Sequence, residues 1–126
     1  MRSVHRCVTA ALFAAILVVP AYCAVNAGGE SRELAKSKSH YILVKPKNFD
    51  ANKTYDLVIA LHGMGDTAEN YARIIWQFIK GRECLLAVPE GSGKAGPGYA
   101  WNTDDLEKVI EMLADVNNNF YFMEMN

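Results

Sequence analysis

The segment most able to do chemistry is a short stretch rich in histidine and glycine, Leu61-His62-Gly63-Met64-Gly65-Asp66. It follows an apolar run and leads into Asp66 and Thr67, both good helix-capping residues. Glycine lets the chain turn sharply and leaves backbone N–H groups facing open space. Such groups at a helix start suit the oxyanion that forms during ester hydrolysis. The stretch therefore indicates either an oxyanion-binding turn or a plain turn that joins a strand to a helix.

A serine nucleophile to accompany such a turn is missing from the sequence. The pattern Gly-x-Ser-x-Gly does not occur. Ser92 lies in a glycine-rich stretch without that spacing, and we interpret it as a loop serine. Outside the first residues of the chain only His40 and His62 remain, and His40, just before a predicted strand, is expected to be exposed. A Ser-His-acid arrangement needs three convergent side chains, so no complete catalytic set can be assembled.

Other kinds of site find little support. The residues 91–94, Gly-Ser-Gly-Lys, do not form a phosphate loop, because Val88 takes the place of its first glycine and Ala95 that of its hydroxyl residue. Asp104 and Asp105 stand together at a predicted helix start, where acidic residues act as caps. The few histidines and cysteines lack metal-ligand spacing. No metal and no cofactor is expected.

Composition narrows the range of partners. The chain has 126 residues and a formal net charge of −1, which gives no general attraction to nucleic acid or to anionic membranes. Trp101 either lines a substrate pocket or fills the core. Cys84 heads an apolar run and is expected to be a buried small hydrophobe rather than a reactive thiol.

The elements that would position these residues alternate between strands and helices. Strands are predicted at residues 41–44, 56–61 and 84–88, and the last two runs are continuously apolar, as in strands buried on both faces of a parallel sheet. One helix is predicted from the caps at residues 66–67 to a stop at Gly81. The glycine-rich residues 90–99 are predicted to be a loop. The order strand, strand, helix, strand, helix predicts an α/β sandwich with a mainly parallel sheet.

A second helix is predicted after Thr103 or Asp104, ending near residues 117–119. Its predicted buried stripe follows the spacing i, i+3, i+4, i+7 and consists of Leu106, Val109, Ile110 and Leu113.

The first residues are predicted to lie outside the fold. Residues 1–27 have a basic start, an apolar run of roughly a dozen residues and a small-residue end, which is typical of a secretory signal peptide. Cleavage is expected after Ala27, with Cys23 as the weaker alternative site. Lipidation of Cys23 and an uncleaved membrane anchor stay open as alternatives. The predicted organisation is a signal peptide at 1–27, a flexible lead-in at 28–40 and a domain at 41–126, with a secreted or periplasmic location.

Three stretches together resemble α/β-hydrolases of the predicted esterase group, similar to carboxylesterase/phospholipase-type and polyhydroxyalkanoate depolymerase-like enzymes. They are residues 46–66, residues 88–91 (Val-Pro-Glu-Gly) and residues 100–102 (Ala-Trp-Asn). The resemblance covers nearly all of residues 41–116 and implies a three-layer hydrolase sandwich. It also implies that the N–H of Met64 belongs to the oxyanion hole and that His62 is structural, with Gly63, Gly65 and Asp66 completing the motif.

The same resemblance implies a serine carboxylic-ester hydrolase acting on a small-molecule or polymeric ester. In the family the nucleophile, the acid and the catalytic histidine come later than anything in this sequence. We therefore expect a chain truncated before its nucleophile, inactive alone, with a sheet edge that invites self-association. The alternative is a non-catalytic small binding protein, secreted or tethered to a membrane.

Overall fold

A computed structural model describes residues 29–120 of the chain. The predicted signal peptide and the last six residues lie outside this range. The described elements are β1 (Gly29–Glu33), β2 (His40–Val44), β3 (Asp56–Ile59), α1 (Ala68–Ile79), β4 (Cys84–Pro89), β5 (Gly93–Ala95), β6 (Gly98–Ala100) and α2 (Asp105–Asn119).

Four of the strands form one mixed sheet in the order β1-β2-β4-β3. The β3 and β4 strands are parallel, with Val58 opposite Leu86. The pairs β1–β2 and β2–β4 are antiparallel, so the expectation of a mainly parallel sheet is not met among residues 29–120. The described sheet is mixed because β2 runs against β4, and β1 doubles back on β2 as a hairpin.

The two helices pack on opposite faces of this sheet. β4 is buried along its whole length, and its side chains alternate between two apolar clusters. Leu86 and Val88 pack with α1, whereas Leu85 and Ala87 pack with Met112 and Val116 of α2. The continuous apolar run of β4 is therefore explained by burial on both faces. Neither helix of residues 29–120 is long and apolar enough to cross a membrane.

Strand β1 lies in the segment expected to be a flexible lead-in, residues 28–40, so that expectation is wrong for Gly29–Glu33. The strand is an edge strand with alternating partial burial. Its polar residues find partners across the sheet. Arg32, for example, donates hydrogen bonds to Tyr41 Oη at 2.9 Å and to Asp115 Oδ2 at 3.1 Å.

The predicted buried stripe of the second helix is also partly wrong. Leu106 and Ile110 are 66% and 57% exposed, while the buried residues of α2 are Asp105, Met112 and Val116. The helix is rotated so that Val109, partly buried, is the member of the predicted stripe that packs against the core. Burial of the Asp105 carboxylate sets this rotation, because its hydrogen bonds lie on the inner side of the helix.

Candidate functional site

The histidine–glycine stretch forms a tight turn between β3 and α1. Ala60 N–H still donates to Ala87 O at 3.1 Å, which continues the pairing with β4 just past the end of β3. The turn itself is closed by Asp66 N–H, which donates to Gly63 O at 3.2 Å. Gly65, its third residue, has φ +84°. A positive φ at this position marks a type II turn and explains why glycine stands there.

Met64 lies at the exposed corner of this turn. Its side chain is 85% exposed, and its N–H has no acceptor among residues 29–120, whereas the N–H of Gly65 donates to Tyr99 O at 2.9 Å. A Cβ placed on Gly63 would meet no described atom within 4 Å. The turn thus leaves the Met64 N–H without an acceptor among residues 29–120, directly before α1.

His62 is held inside the fold by contacts on both ring nitrogens. Nδ1 lies 2.8 Å from Gly63 O, and Nε2 accepts a hydrogen bond from Gly91 N at 3.0 Å. Trp101 stacks on the ring with 4.9 Å between centroids and donates its Nε1–H to His62 O at 2.8 Å. With only 2% of its surface exposed, His62 is buried, and both of its ring nitrogens have partners. Trp101 is partly buried against it.

The glycine-rich segment after β4 supports the other side of the turn. The sequence predicted a loop at residues 90–99, but β5 and β6 form a two-stranded hairpin there. Tyr99 N–H donates to Asp66 O at 2.9 Å. Gly98 lies so close to the turn that any side chain on it would overlap the Gly65 and Asp66 carbonyl oxygens. A glycine at position 98 is compatible with a close backbone approach, but the sequence did not indicate that Gly65 and Asp66 are the residues approached.

The start of α1 is fixed by three acceptors. Thr67 Oγ1 accepts from Asn70 N at 3.1 Å, and Asp66 Oδ1 accepts from both Asn70 Nδ2 and Thr67 N at 2.8 Å. The bond from the Asn70 side chain, followed by that from Thr67 N–H, lowers the pKa of Asp66. Glu90, for which the sequence predicted no role, accepts from Ala68 N through Oε1 at 3.0 Å. Glu90, the residue after β4, therefore caps α1, the helix that follows the turn at Met64.

Ser92 is an exposed loop residue in the structure. Its Oγ accepts from Asn102 Nδ2 at 3.0 Å, and its N–H donates to Asp105 Oδ2 at 3.2 Å. Neither described histidine, His40 or His62, is among its hydrogen-bond partners. The arrangement supplies no base for this hydroxyl.

The carboxylate of Asp105 stabilises the loop around Ser92 and does not orient a reacting group. Its Oδ2 accepts from Asn102 N at 2.7 Å, and its Oδ1 binds Lys108 Nζ at 2.9 Å. Burial alone would raise the pKa of Asp105, but the bonds from Asn102, Lys108 and Ser92 outweigh it and lower the pKa to about 2. Asp104 makes no side-chain capping bond, and Asp105 binds N–H groups of the preceding loop, so neither residue of the pair makes the predicted capping hydrogen bond.

The remaining candidates have structural surroundings. Cys84 is buried, as expected, and burial raises the pKa of its thiol. In residues 29–120 no group of three or more His, Cys, Asp or Glu side chains could hold a metal ion. Of these candidates, the Met64 amide differs in that its N–H has no acceptor among residues 29–120.

The comparisons with known proteins concern the fold. No protein-family model matches the chain, and no curated protein matches it. Among solved structures, the chain is similar to one described as a thermostable esterase, with a TM-score of 0.50 and 17% sequence identity. The match covers 76% of this chain but 31% of that one. It shows an esterase-like α/β fold, and the chain spans about a third of the length of the esterase that it matches.

Proposed function

We propose that this chain forms the oxyanion-binding part of a carboxylic-ester hydrolase of the serine type. The observation that carries the proposal is the Met64 N–H, which has no acceptor among residues 29–120 and stands at an exposed turn before a helix. The esterase-like fold supports it only at the level of architecture. The ester substrate is our inference from the donor.

The chemistry follows from where negative charge develops. When a nucleophile attacks an ester carbonyl, the carbonyl oxygen becomes an oxyanion and needs donors that are already in place. The Met64 N–H is such a donor, since the turn holds it without competition from a protein acceptor. One donor of this kind contributes about 3 kcal/mol, roughly a hundredfold in rate.

We further propose that the nucleophile and its base come from outside residues 29–120, and that the 126 residues alone do not turn over esters. Ser92 has an amide and a carboxylate near it but no histidine. Cys84 is buried. Without a nucleophile there is no tetrahedral intermediate for the Met64 N–H to stabilise.

A short-chain nitrophenyl ester tests this proposal. The purified 126-residue chain should hydrolyse it no faster than its Ser92→Ala variant, and both should match buffer. A protein made by continuing the reading frame past Asn126 should add a Gly-x-Ser-x-Gly turn and later an Asp and a His, and should be active. Loss of its activity on changing that serine to alanine would complete the test.

Turnover by the short chain that Ser92→Ala abolishes would contradict the proposal and make Ser92 the nucleophile. An inactive longer protein would favour the non-catalytic binding protein.

We also propose that the protein is exported, on the basis of the residue pattern in 1–27. Mass spectrometry of the mature amino terminus is expected to begin at Gly28. A protein that begins at Met1 in the membrane fraction would contradict cleavage and support the tethered alternative.

A further inference from the structure

We propose that His62 is the residue that aims the Met64 N–H outward, and that it can do so only as a neutral ring with its proton on Nδ1. The inference rests on the proposed role of the Met64 amide. It assigns His62 as a positioning residue, acting through the peptide bond between Gly63 and Met64.

The first step is the geometry of one peptide group. The carbonyl of Gly63 and the N–H of Met64 belong to the same planar unit, and in a trans peptide they point in opposite directions. Gly63 O is held by His62 Nδ1 at 2.8 Å and by Asp66 N at 3.2 Å. Because these two contacts fix the carbonyl toward the protein, the N–H on the other side of the plane is turned away from it.

The second step is the position of the proton on the ring. Gly91 N–H can only donate, and it lies 3.0 Å from His62 Nε2, so Nε2 must be the acceptor. A neutral imidazole carries its one proton on the other nitrogen. Nδ1–H is therefore the donor to Gly63 O, and both ring nitrogens take part in hydrogen bonds at the same time.

The third step is the consequence of protonation. A proton on Nε2 would place two N–H groups against each other at 3.0 Å and remove the acceptor of Gly91. The ring has little room for another position, since it is 2% exposed and stacked on Trp101. Protonation should therefore detach the residues around Gly91 from the turn and loosen the Gly63 carbonyl.

Charged groups surround this arrangement on several elements. Asp66 follows on the same turn and accepts from Thr67 N and Asn70 Nδ2. Glu90 precedes Gly91 at the end of β4 and is bonded to Ala68 N. On the hairpin, Lys94 Nζ contacts Tyr99 Oη at 3.0 Å, and at the start of α2 Asp105 binds Ser92 N. The test therefore uses variants of the ring itself at one pH, so that the charges of these groups stay the same throughout.

Hydrogen–deuterium exchange of the full chain at low micromolar concentration tests the inference without any ester. We would compare the peptide that contains Gly91 with peptides of β4 in the wild type and in variants of the ring, at about pH 7.5, where an ordinary histidine is neutral. His62→Gln keeps an acceptor near the position of Nε2 and cannot be protonated. His62→Asn keeps a donor near Nδ1 but loses the contact with Gly91. His40→Gln, at an exposed histidine, is the control.

Gly91 should be equally protected, relative to β4, in the wild type, in His40→Gln and in His62→Gln, because each keeps an acceptor for its N–H. In His62→Asn, exchange at Gly91 relative to β4 should be about tenfold faster. If Gly91 exchanges in the wild type like an exposed amide, the inference is wrong, whether or not the variants fold. Wild-type protection of Gly91 in His62→Asn, or loss of that protection in a folded His62→Gln, would also overturn it. Because no ester is used, failure here is distinct from failure of the proposed hydrolase activity.

Discussion

The phenol of Tyr41 donates a hydrogen bond of 2.5 Å to the carboxylate of Asp115, joining the buried strand β2 to helix α2. Arg32 of β1 binds the same carboxylate oxygen at 3.1 Å. One acceptor on α2 thus holds two neighbouring strands.

Tyr41→Phe should lower the free energy of unfolding by about 1 kcal/mol, the usual net value of one hydrogen bond. Asp115→Ala should lower it by more, about 2–3 kcal/mol, because Tyr41 and Arg32 both lose their acceptor. Urea unfolding followed by circular dichroism measures both. An Asp115→Ala variant no less stable than Tyr41→Phe would show that the carboxylate does not serve both partners.

The carboxylate of Glu90 tests whether the end of β4 caps α1. Glu90→Ala removes the acceptor of Ala68 N–H and should lower the free energy of unfolding by about 1 kcal/mol. Glu90→Gln retains an oxygen acceptor and should lose less. Equal stability of all three proteins in urea unfolding would exclude a capping contribution.

Asp105 should make the stability of the protein depend on acid. Its pKa is lowered to about 2 in the folded chain, below the value of about 3.9 for an unfolded Asp. The stabilisation is therefore full above about pH 4, about 2 kcal/mol, and is lost as the pH falls toward the folded pKa. Asp105→Asn should be less stable than the wild type by that amount at pH 6, and the difference should shrink as the pH falls from about 4 toward 2.

Asp104→Asn is the matched control for this change, because Asp104 is exposed and makes no side-chain capping bond. Its unfolding free energy should follow that of the wild type at each pH. A gap between Asp105→Asn and wild type that stays constant down to pH 2 would mean that the carboxylate is not the source of the stabilisation.

The outer edge of β3 is expected to cause self-association. β3 is an edge strand of the described sheet. Its last residue, Ile59, is 39% exposed, and Leu61, two residues further on, is 53% exposed. Exposed apolar edges of this kind pair with other chains, and a charge on the edge prevents it. Ile59→Lys should therefore reduce oligomers seen by sedimentation velocity at micromolar concentration. Phe78→Lys, at an 81% exposed position on α1, should not. A monomeric wild type, or equal effects of both variants, would contradict self-association through the edge of β3.

Local signals explain what the sequence could predict. Thr67 caps α1 through Asn70 N, and the helix ends at Ile79, just before Gly81, as the cap and stop residues indicated. A buried strand was predicted at residues 84–88 from its apolar run, and β4 extends one residue further, through Pro89. The parallel pairing of β3 with β4 follows from the order strand, helix, strand, in which a helix connects two parallel strands.

Long-range pairing explains what the sequence could not predict. β1 is polar, and it becomes a strand because it pairs with β2 and because Arg32 reaches Asp115, 83 residues later. The buried face of α2 differs from the single stripe that the sequence predicted, because the buried Asp105 accepts from Ser92 N and Asn102 N on the inner side of the helix. At the candidate site, the motif was readable at residues 61–66, but the ring contacts of His62 with Gly91 and Trp101 depend on tertiary structure.

The central claim is that the Met64 N–H stabilises an oxyanion, and Met64→Pro in the proposed longer protein, which continues past Asn126, tests it most directly. Proline has no N–H, and the second position of a type II turn favours it, so the turn should be kept. Met64→Ala retains the N–H and is the control. The measurement is kcat on a short-chain nitrophenyl ester. We predict a fall of about a hundredfold or more for Met64→Pro and little change for Met64→Ala; equal kcat in the two variants would contradict the claim.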